Sequence, residues 1–202
     1  MQTIEEKIVS RIYGRGRGWA FCANDFAAEF GRSTIDWVLY NLIASGTIRR
    51  IYRGVYHYPK FSELLQQELS PDFDQVAQAF ARKFKWRIQP SGDAALNLLG
   101  LSTQVPGRLV YLSDGPNRQY DIGNYTLEFK KSALKDVGFK YRESGLIVQA
   151  LKALGRERVD ETVITTIRKQ LDNTACKRVL KDTVTATGWV YEVIKRICGE
   201  QG

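Results

Sequence analysis

The sequence predicts an α+β protein with two domains: an N-terminal winged helix-turn-helix over residues 1–60, and a larger α+β domain with a helical C-terminal end over residues 61–202. Three observations predict this class. Three short helical segments precede a basic β-hairpin, strand-like segments occupy the middle of the chain, and a regular helical spacing of apolar residues begins at Glu143. We expect the boundary between the domains near residues 60–70.

The first helix is predicted from a capping box and an apolar stripe. Thr3 and Glu6 have the spacing at which each side chain accepts a hydrogen bond from the other residue's backbone N–H. Isoleucines recur behind them at helical spacing: Ile4, Ile8 and Ile12. Gly14 is expected to end the helix, because glycine adopts left-handed conformations without strain. Residues 14–18 then form a basic, glycine-rich loop whose spacing does not fit a nucleotide-binding loop.

Two further helices are expected after a short extended segment at residues 19–22. Asn24 has the residue type of a helix N-cap and predicts a second helix of about two turns. Ser33 and Asp36 form another capping signal, which opens a third helix that runs to Ser45. The predicted buried stripe of the third helix is Ile35, Val38, Leu39, Leu42 and Ile43.

A β-hairpin follows, with strands at residues 47–52 and 55–58 joined at Arg53 and Gly54. Glycine can take positive φ at such a turn. Ile48 and Ile51 are separated by an odd number of positions, which breaks the alternation of a strand and predicts a bulge.

A winged helix-turn-helix has this order of elements: three short helices followed by a basic hairpin. In that motif the last helix enters the major groove of DNA, which is about 12 Å wide, and the hairpin, or wing, lies along the backbone. We therefore expect double-stranded DNA as the partner. The expected DNA-binding residues are Arg15, Arg17, Arg32, Ser33, Thr34, Trp37, Tyr40, Asn41, Arg49, Arg50, Tyr52 and Arg53.

Two of these residues are expected to contact bases. Asn41 could read adenine by a bidentate pair of hydrogen bonds, and Trp37 could pack on a thymine methyl group or on the sugar–phosphate edge. In the alternative interpretation Trp37 and Tyr40 pack against the C-terminal domain, because such large apolar side chains are seldom left exposed.

The C-terminal domain is predicted to begin with a helical linker at residues 61–69. A helix starts after Pro71, and a further short helix ends near residue 100. Strand-like segments at residues 108–112 and 120–130 are separated by the turn sequence Asp-Gly-Pro-Asn. With the helical spacing beyond, this is an α+β arrangement.

Composition fits a protein with a packed core. The chain has 202 residues and a mass of 23.0 kDa, with 44% hydrophobic and 26% charged residues, which excludes a disordered or collagen-like chain. The longest apolar run, residues 19–23, is far shorter than a membrane span. The first residues carry two acids and no apolar signal core. We expect a cytoplasmic protein without a membrane partner.

Cysteine and histidine content argues against a metal or nucleophile site. The three cysteines, Cys22, Cys176 and Cys198, form no C-x-x-C pair, and His57 is the single histidine. Structural zinc needs about four clustered ligands, and nothing in the sequence places a nucleophile near the histidine. We therefore expect unpaired thiols, a half-exposed His57 on a strand, no metal, no cofactor and no enzymatic activity.

Charge points to a polyanionic partner. The chain carries 30 basic and 22 acidic side chains, a net charge of +8. Residues 1–60 hold nine basic and five acidic residues, hence +4, and residues 61–202 also carry +4 over more than twice the length. The N-terminal excess is made of arginines: Arg11, Arg15, Arg17, Arg32, Arg49, Arg50 and Arg53. Arginine suits phosphate and guanine contacts, but charge alone does not exclude a solvated face without a partner.

Three stretches carry a resemblance to a known family. They are GTIRRIYRGVYHYP at residues 46–59, PSGDAALNLLGLSTQVP at residues 90–106, and YLSDGPNR at residues 111–118 with its continuation to Ile122 and Gly123. Together they make most of residues 1–130 similar to the AbiEi-like antitoxins of type IV toxin–antitoxin systems. The resemblance implies a repressor of its own operon and a nucleotidyltransferase-like toxin as functional partner, which the antitoxin counteracts without a stable complex.

One pattern in the C-terminal domain imitates a magnesium-dependent nuclease. Asp121, Glu128 and Lys130 follow the D…E-x-K spacing, in which two carboxylates hold the metal and a lysine helps to activate water. Because only three common residues are needed, a solvated strand is the favoured interpretation. The basic run that follows could touch DNA phosphate or form an idle surface: Lys131, Lys135, Lys140 and Arg142.

The sequence therefore favours a DNA-binding repressor and leaves two other classes open. One is the nuclease, and the other is a winged helix that binds a protein partner. The operator, the oligomeric state and the target of a toxin do not follow from the sequence.

Overall fold

The computed structural model describes residues 3–104, 106–132 and 139–199. The protein belongs to the α+β class, as predicted, and the chain divides into two compact units, Met1–Trp86 and Arg87–Gly202. In the described part of the chain, no helix is both long and apolar enough to cross a membrane.

The N-terminal unit contains three α-helices, one 3-10 turn and five short strands among its described residues. In chain order these are α1 Ile4–Arg15, β1 Ala20–Phe21, the 3-10 turn Ala23–Asp25, α2 Arg32–Ala44, β2 Arg49–Tyr52, β3 Val55–His57, β4 Phe61–Ser62, β5 Gln67–Glu68 and α3 Phe73–Phe84. Strands β1, β3 and β2 form an antiparallel sheet with β3 in the centre. Its core is the cluster Ile8, Ile12, Phe21, Phe26, Ile35, Val38, Leu39 and Ile48 with its neighbours.

The capping box of the first helix is confirmed. The Thr3 hydroxyl accepts from the backbone N–H of Glu6, and the Glu6 carboxylate accepts from the backbone N–H of Thr3. The predicted end of this helix at Gly14 is wrong, because α1 continues to Arg15. Gly16, not Gly14, is the glycine that follows the helix with a positive φ, 83°.

Two predicted helix starts are wrong. Asn24 is the middle residue of a single 3-10 turn that begins at Ala23, and its side-chain amide donates to the carbonyls of Arg82 and Lys83 instead of capping a helix. Helix α2 begins at Arg32 after Gly31, and no side chain caps it, so Ser33 lies inside the helix.

The hairpin of β2 and β3 has the predicted irregularity, since the register shifts between Arg50 and Tyr52. His57, predicted to be half-exposed, is only 2% exposed on the central strand. The predicted helical linker at residues 61–69 is a second hairpin, β4–β5. The chain reverses there because the Ser62 hydroxyl accepts a hydrogen bond from the backbone N–H of Leu65 and Gln66 adopts a φ of 50°.

The units divide after Trp86, whereas the sequence predicts the boundary near residues 60–70. Helix α3 accounts for the difference, because it packs on the N-terminal sheet. Its Arg82 pairs with Asp25 of the 3-10 turn and donates to the carbonyl of Ala20 on β1.

The C-terminal unit combines a four-stranded sheet with a helical end. Its elements are β6 Ile88–Ser91, α4 Asp93–Leu98, β7 Arg108–Ser113, β8 Arg118–Ile122, β9 Tyr125–Lys131, α5 Arg142–Leu154, the 3-10 turn Arg156–Arg158, α6 Glu161–Arg168, α7 Asn173–Asp182 and α8 Gly188–Gly199. The strand order is β6-β7-β9-β8, with β7 and β9 parallel. The strand predicted at residues 120–130 is interrupted by a turn at Gly123, where φ is 57°. The main core lies among α4–α8.

Candidate nucleic-acid interface

Helix α2 presents an exposed face that carries large aromatic side chains. Successive residues turn by about 100° around a helix, so Ser33, Trp37 and Tyr40 lie on one side, opposite the buried stripe. Trp37 is 56% exposed and Tyr40 is 70% exposed. Burial of such side chains in a partner would be favourable, so this face has the character of a binding surface.

The two flanks of this face differ in chemistry. Thr34 and Asn41 lie on one flank and are partly exposed. Arg32 and Asp36 lie on the other flank and form an exposed ion pair, with 2.9 Å between Arg32 Nε and Asp36 Oδ2. Asp36, which the sequence analysis assigned to a capping signal, therefore neutralises an arginine at the start of the helix.

The β2–β3 hairpin, called the wing below after its place in the predicted motif, carries three arginines that differ in their partners. Arg49 on β2 pairs with Glu68 on β5. Arg50 and Arg53 are exposed, and among the described residues no carboxylate pairs with either side chain. The ring of Tyr52 lies 5.6 Å from the ring of Phe80 on α3, so one side of this tyrosine contacts the protein.

Tyr56 lies between the wing and α2, because it is opposite Arg50 in the sheet and packs on the core to which α2 contributes. Burial raises the pKa of this tyrosine on β3, the positive charge of Arg50 lowers it, Asp36 raises it, and Arg32 lowers it. Charges from α2 and from β2 therefore act on the same phenol.

Lys83 is a basic residue of this region that the sequence analysis missed. Burial lowers the pKa of its amine, the nearby Cys22 thiol raises it, and Arg53, Arg32 and Arg50 lower it in that order. Lys83 on α3 thus shares a positive environment with the arginines of α2 and the wing. We refer to Arg32, Arg50, Arg53 and Lys83 as the wing-end group. Nothing in the local sequence pattern relates position 83 to the wing.

Arg15 and Arg17 form a separate group at the other end of β3. The Arg15 guanidinium lies 5.7 Å from the ring centroid of Trp19, and that of Arg17 lies 4.8 Å from the ring of Tyr58. Arg17 also donates to the carbonyl of Pro59 at 3.0 Å. Tyr13 stacks on Tyr58 with centroids 5.3 Å apart. We refer to Arg15 and Arg17 with Tyr13, Trp19 and Tyr58 as the loop-end group.

The twelve predicted DNA-binding residues therefore do not form one uniform patch. The wing-end group relates the start of α2 to the wing, and the loop-end group lies beyond the opposite end of β3, because Tyr58 follows that strand and Arg53 precedes it.

The nuclease pattern in the C-terminal unit is occupied by internal contacts. Asp121 accepts a hydrogen bond from the Thr126 hydroxyl at 2.8 Å. Glu128 accepts from Arg108 at 2.6 Å, and Lys130 lies 4.0 Å from the same carboxylate. Within residues 3–104, 106–132 and 139–199, no group of three histidine, cysteine, aspartate or glutamate side chains could hold a metal ion.

The basic run after this pattern is only partly within the described residues, since Lys135 lies outside them. Lys131 ends β9 and is exposed. Lys140 lies 5.4 Å from the ring of Tyr141, and Arg142 begins α5.

The three cysteines are free and buried. Burial raises the pKa of Cys22 to about 11, and burial together with the neighbouring Cys176 raises the pKa of Cys198 to about 12. Thiols with such values are almost entirely protonated at neutral pH and are poor nucleophiles.

Comparisons with known proteins identify a family. No curated protein matches the chain. A solved structure, the RV2827C protein from Mycobacterium tuberculosis, is similar at 12% identity with a TM-score of 0.41, covering 98% of this chain and 78% of that one. A likeness this distant carries no argument about function, and the resemblance to AbiEi-like antitoxins stays a prediction. The family described as a family of unknown function, DUF6088, matches residues 4–179, and the chain belongs to it.

Proposed function

We propose that the N-terminal unit is a winged helix-turn-helix that binds double-stranded DNA, and that the protein is a sequence-specific transcriptional repressor. The observation that carries the proposal is that one unit combines the exposed aromatic face of α2 with two exposed wing arginines, Arg50 and Arg53, that pair with no carboxylate among the described residues. A solvated basic face without a partner has no need of exposed Trp37 and Tyr40 beside it.

Helix α2 is the element that enters the major groove in this proposal. An α-helix fits that groove, and Asn41 has the donor and acceptor that a bidentate pair with adenine requires. Trp37 is exposed enough to pack on a thymine methyl group. The helix has no acid in its first turn and no side-chain cap, which leaves its first backbone N–H groups compatible with a nearby phosphate.

The wing provides the phosphate contacts. Within the described ranges, the side chains of Arg50 and Arg53 have no ion pair to break in order to reach a phosphate oxygen. Arg32 and Arg49 would have to leave Asp36 and Glu68, so we assign them a smaller share of the binding energy.

The test is a binding titration with the full-length protein. A fluorescently labelled random duplex and a duplex obtained by selection from a random pool are titrated over a range of salt concentrations. We expect binding to both at low salt, affinity that falls steeply with salt, and preference for the selected sequence. Failure to bind any duplex at low salt would exclude the proposal, and weak binding independent of salt would favour a winged helix that binds protein.

The more specific role is the autoregulating antitoxin of an AbiE-like system. It is supported by the resemblance of residues 46–59, 90–106 and 111–123 to that family, and its partner is a nucleotidyltransferase-like toxin that need not form a stable complex. Footprinting upstream of the protein's own gene and co-expression with an adjacent nucleotidyltransferase gene test it. Protection of that upstream DNA and rescue of growth are expected. Binding elsewhere only, or no rescue, would leave a repressor of another kind.

A further inference from the structure

The C-terminal end of α3 is held on the N-terminal sheet by hydrogen bonds in both directions. Arg82 Nε donates to Asp25 at 2.7 Å, and Arg82 Nη2 donates to the carbonyl of Ala20 at 2.7 Å. In the opposite direction, the Asn24 side-chain amide donates to the carbonyls of Arg82 at 3.2 Å and Lys83 at 2.9 Å. These bonds fix both the backbone and one side chain of the last helical turn against β1 and the 3-10 turn.

Lys83 reaches from this fixed turn to the tip of the wing. Its amine donates to the carbonyl of Arg53 at 2.6 Å. A Cβ on Gly54, whose φ is 74°, would lie 3.4 Å from Lys83 Cε, so the lysine side chain also lies along the turn itself. The amine is 4.7 Å from the ring centroid of Phe84, which adds a cation–π contact.

The position of the wing arginines depends on this contact for a physical reason. Strand β1 pairs only with Tyr56 and His57 of β3, so the hairpin is two-stranded beyond them, and a two-stranded hairpin is marginally stable by itself. A hydrogen bond from a charged amine to the carbonyl at the turn is stronger than a hydrogen bond between two neutral groups. It restrains the backbone between Arg53 and Gly54, from which the Arg53 side chain projects.

We propose that Lys83 is a positioning residue of the wing: it holds the Arg53–Gly54 turn and so presents Arg50 and Arg53 to DNA. The claim that Lys83 presents these two arginines to DNA rests on the proposed function. The functional DNA-binding unit then extends through α3 to residue 86, beyond the hairpin that the sequence motif contains.

The first experiment measures backbone hydrogen exchange in the full-length protein without DNA. Lys83→Met removes the donor and keeps an unbranched apolar stem, Lys83→Arg keeps a charged donor, and Lys85→Met removes a neighbouring charge that makes no contact with the wing. We expect exchange at residues 52–56 to accelerate about tenfold in Lys83→Met alone. Unchanged exchange there would overturn the proposal.

The second experiment measures the affinity of the same variants for a random duplex. Lys83→Met is expected to weaken binding about tenfold, while Lys83→Arg and Lys85→Met stay within about threefold of the unmodified protein. Faster exchange with unchanged affinity would overturn the presentation step. Weaker binding with unchanged exchange would show that Lys83 itself contacts phosphate, which also contradicts positioning.

Two possible failures, a variant that does not fold and a protein that binds no duplex, still leave the proposal testable. If Lys83→Met fails to fold by circular dichroism, Lys83→Gln replaces it with the same expected acceleration, because its shorter neutral side chain cannot supply the charged donor. If the unmodified protein binds no duplex, the proposed function fails, whereas the exchange arm still decides whether Lys83 holds the turn.

Discussion

The two ends of strand β3 carry basic side chains in different states. In the loop-end group, the guanidinium groups of Arg15 and Arg17 lie on the rings of Trp19 and Tyr58. In the wing-end group, Arg50 and Arg53 make no such ring contact among the described residues. All four side chains are exposed, and no described carboxylate pairs with any of them. The difference is that the first pair already packs on aromatic rings of the protein, whereas the second pair makes no contact in the described part of the chain that binding a polyanion would break. Arginine density in a sequence does not distinguish these two states, because the distinction depends on which side chains the fold brings beside them.

The ends also differ in what supports them. At the wing end, Lys83 of α3 donates to the carbonyl of Arg53, while Arg82 holds α3 itself on β1 and the 3-10 turn. The loop end is held by hydrogen bonds between Gly18, Trp19 and Tyr58. Variants that act at one end and spare the other can therefore separate stability from DNA binding.

The largest effect is expected for Arg82→Met. It removes the ion pair of the partly buried Asp25 carboxylate, which among the described residues keeps only the Cys22 N–H as a donor, and it removes the Arg82 bond to the carbonyl of Ala20, which together costs about 2–3 kcal/mol. Urea unfolding should show this loss in the free energy of unfolding. Arg11→Met removes an arginine whose ion pair with Glu29 is more exposed, and it should cost less than about 1 kcal/mol. Equal losses in the two variants would contradict the anchoring role of α3.

A smaller effect, confined to one base pair, is expected for Asn41→Ala. Loss of a bidentate contact should reduce discrimination at a single position of the selected duplex by about 1–3 kcal/mol. Affinities for a set of duplexes with single substitutions measure this. A uniform loss over all sequences would mean that Asn41 orients the helix without reading a base.

The smallest effect on DNA binding is expected at the loop end. In Arg15→Ala/Arg17→Ala, the lost cation–π contacts and the lost bond to Pro59 should lower the free energy of unfolding by about 1 kcal/mol. The salt dependence of DNA affinity should change by less than about one unit of slope. A change as large as that of a wing variant would remove the distinction between the two ends.

Local signals in the sequence predicted much of the fold. The capping box of Thr3 and Glu6 and the irregularity between Arg50 and Tyr52 are encoded by neighbouring residues, and both were found. The predicted stripe of α2 is buried except for Ile43, which is only partly buried. Errors occurred where a side chain with a local signal makes a contact with a residue distant in sequence instead. Asn24 has the residue type of a cap, but it binds the carbonyls of Arg82 and Lys83, 58 and 59 positions away.

The candidate site was also predictable only where local signals define it. The exposed face of α2 follows from helical periodicity. The ion pair of Arg49 with Glu68 and the contact of Lys83 with the wing are tertiary, and the pair of Arg32 with Asp36 lies at helical i,i+4 spacing but was assigned to a capping signal.

The net charge of each domain depends on where the boundary between the domains lies. Residues 1–86 hold twelve basic and nine acidic side chains, and residues 87–202 hold eighteen and thirteen, so the excess is +3 and +5. Net charge thus does not single out the N-terminal unit, and the partners of individual arginines carry the argument.

The most direct test of the account is the salt dependence of DNA affinity in Arg50→Ala/Arg53→Ala, with Arg15→Ala/Arg17→Ala as the charge-matched control. Each lost phosphate contact lowers the slope of log affinity against log salt concentration by about one unit. The account predicts that the wing variant binds specific and random duplexes more weakly, with a slope flatter by about two units and an unchanged free energy of unfolding, because both side chains are exposed. A slope equal to that of the unmodified protein would show that the wing does not touch the DNA backbone.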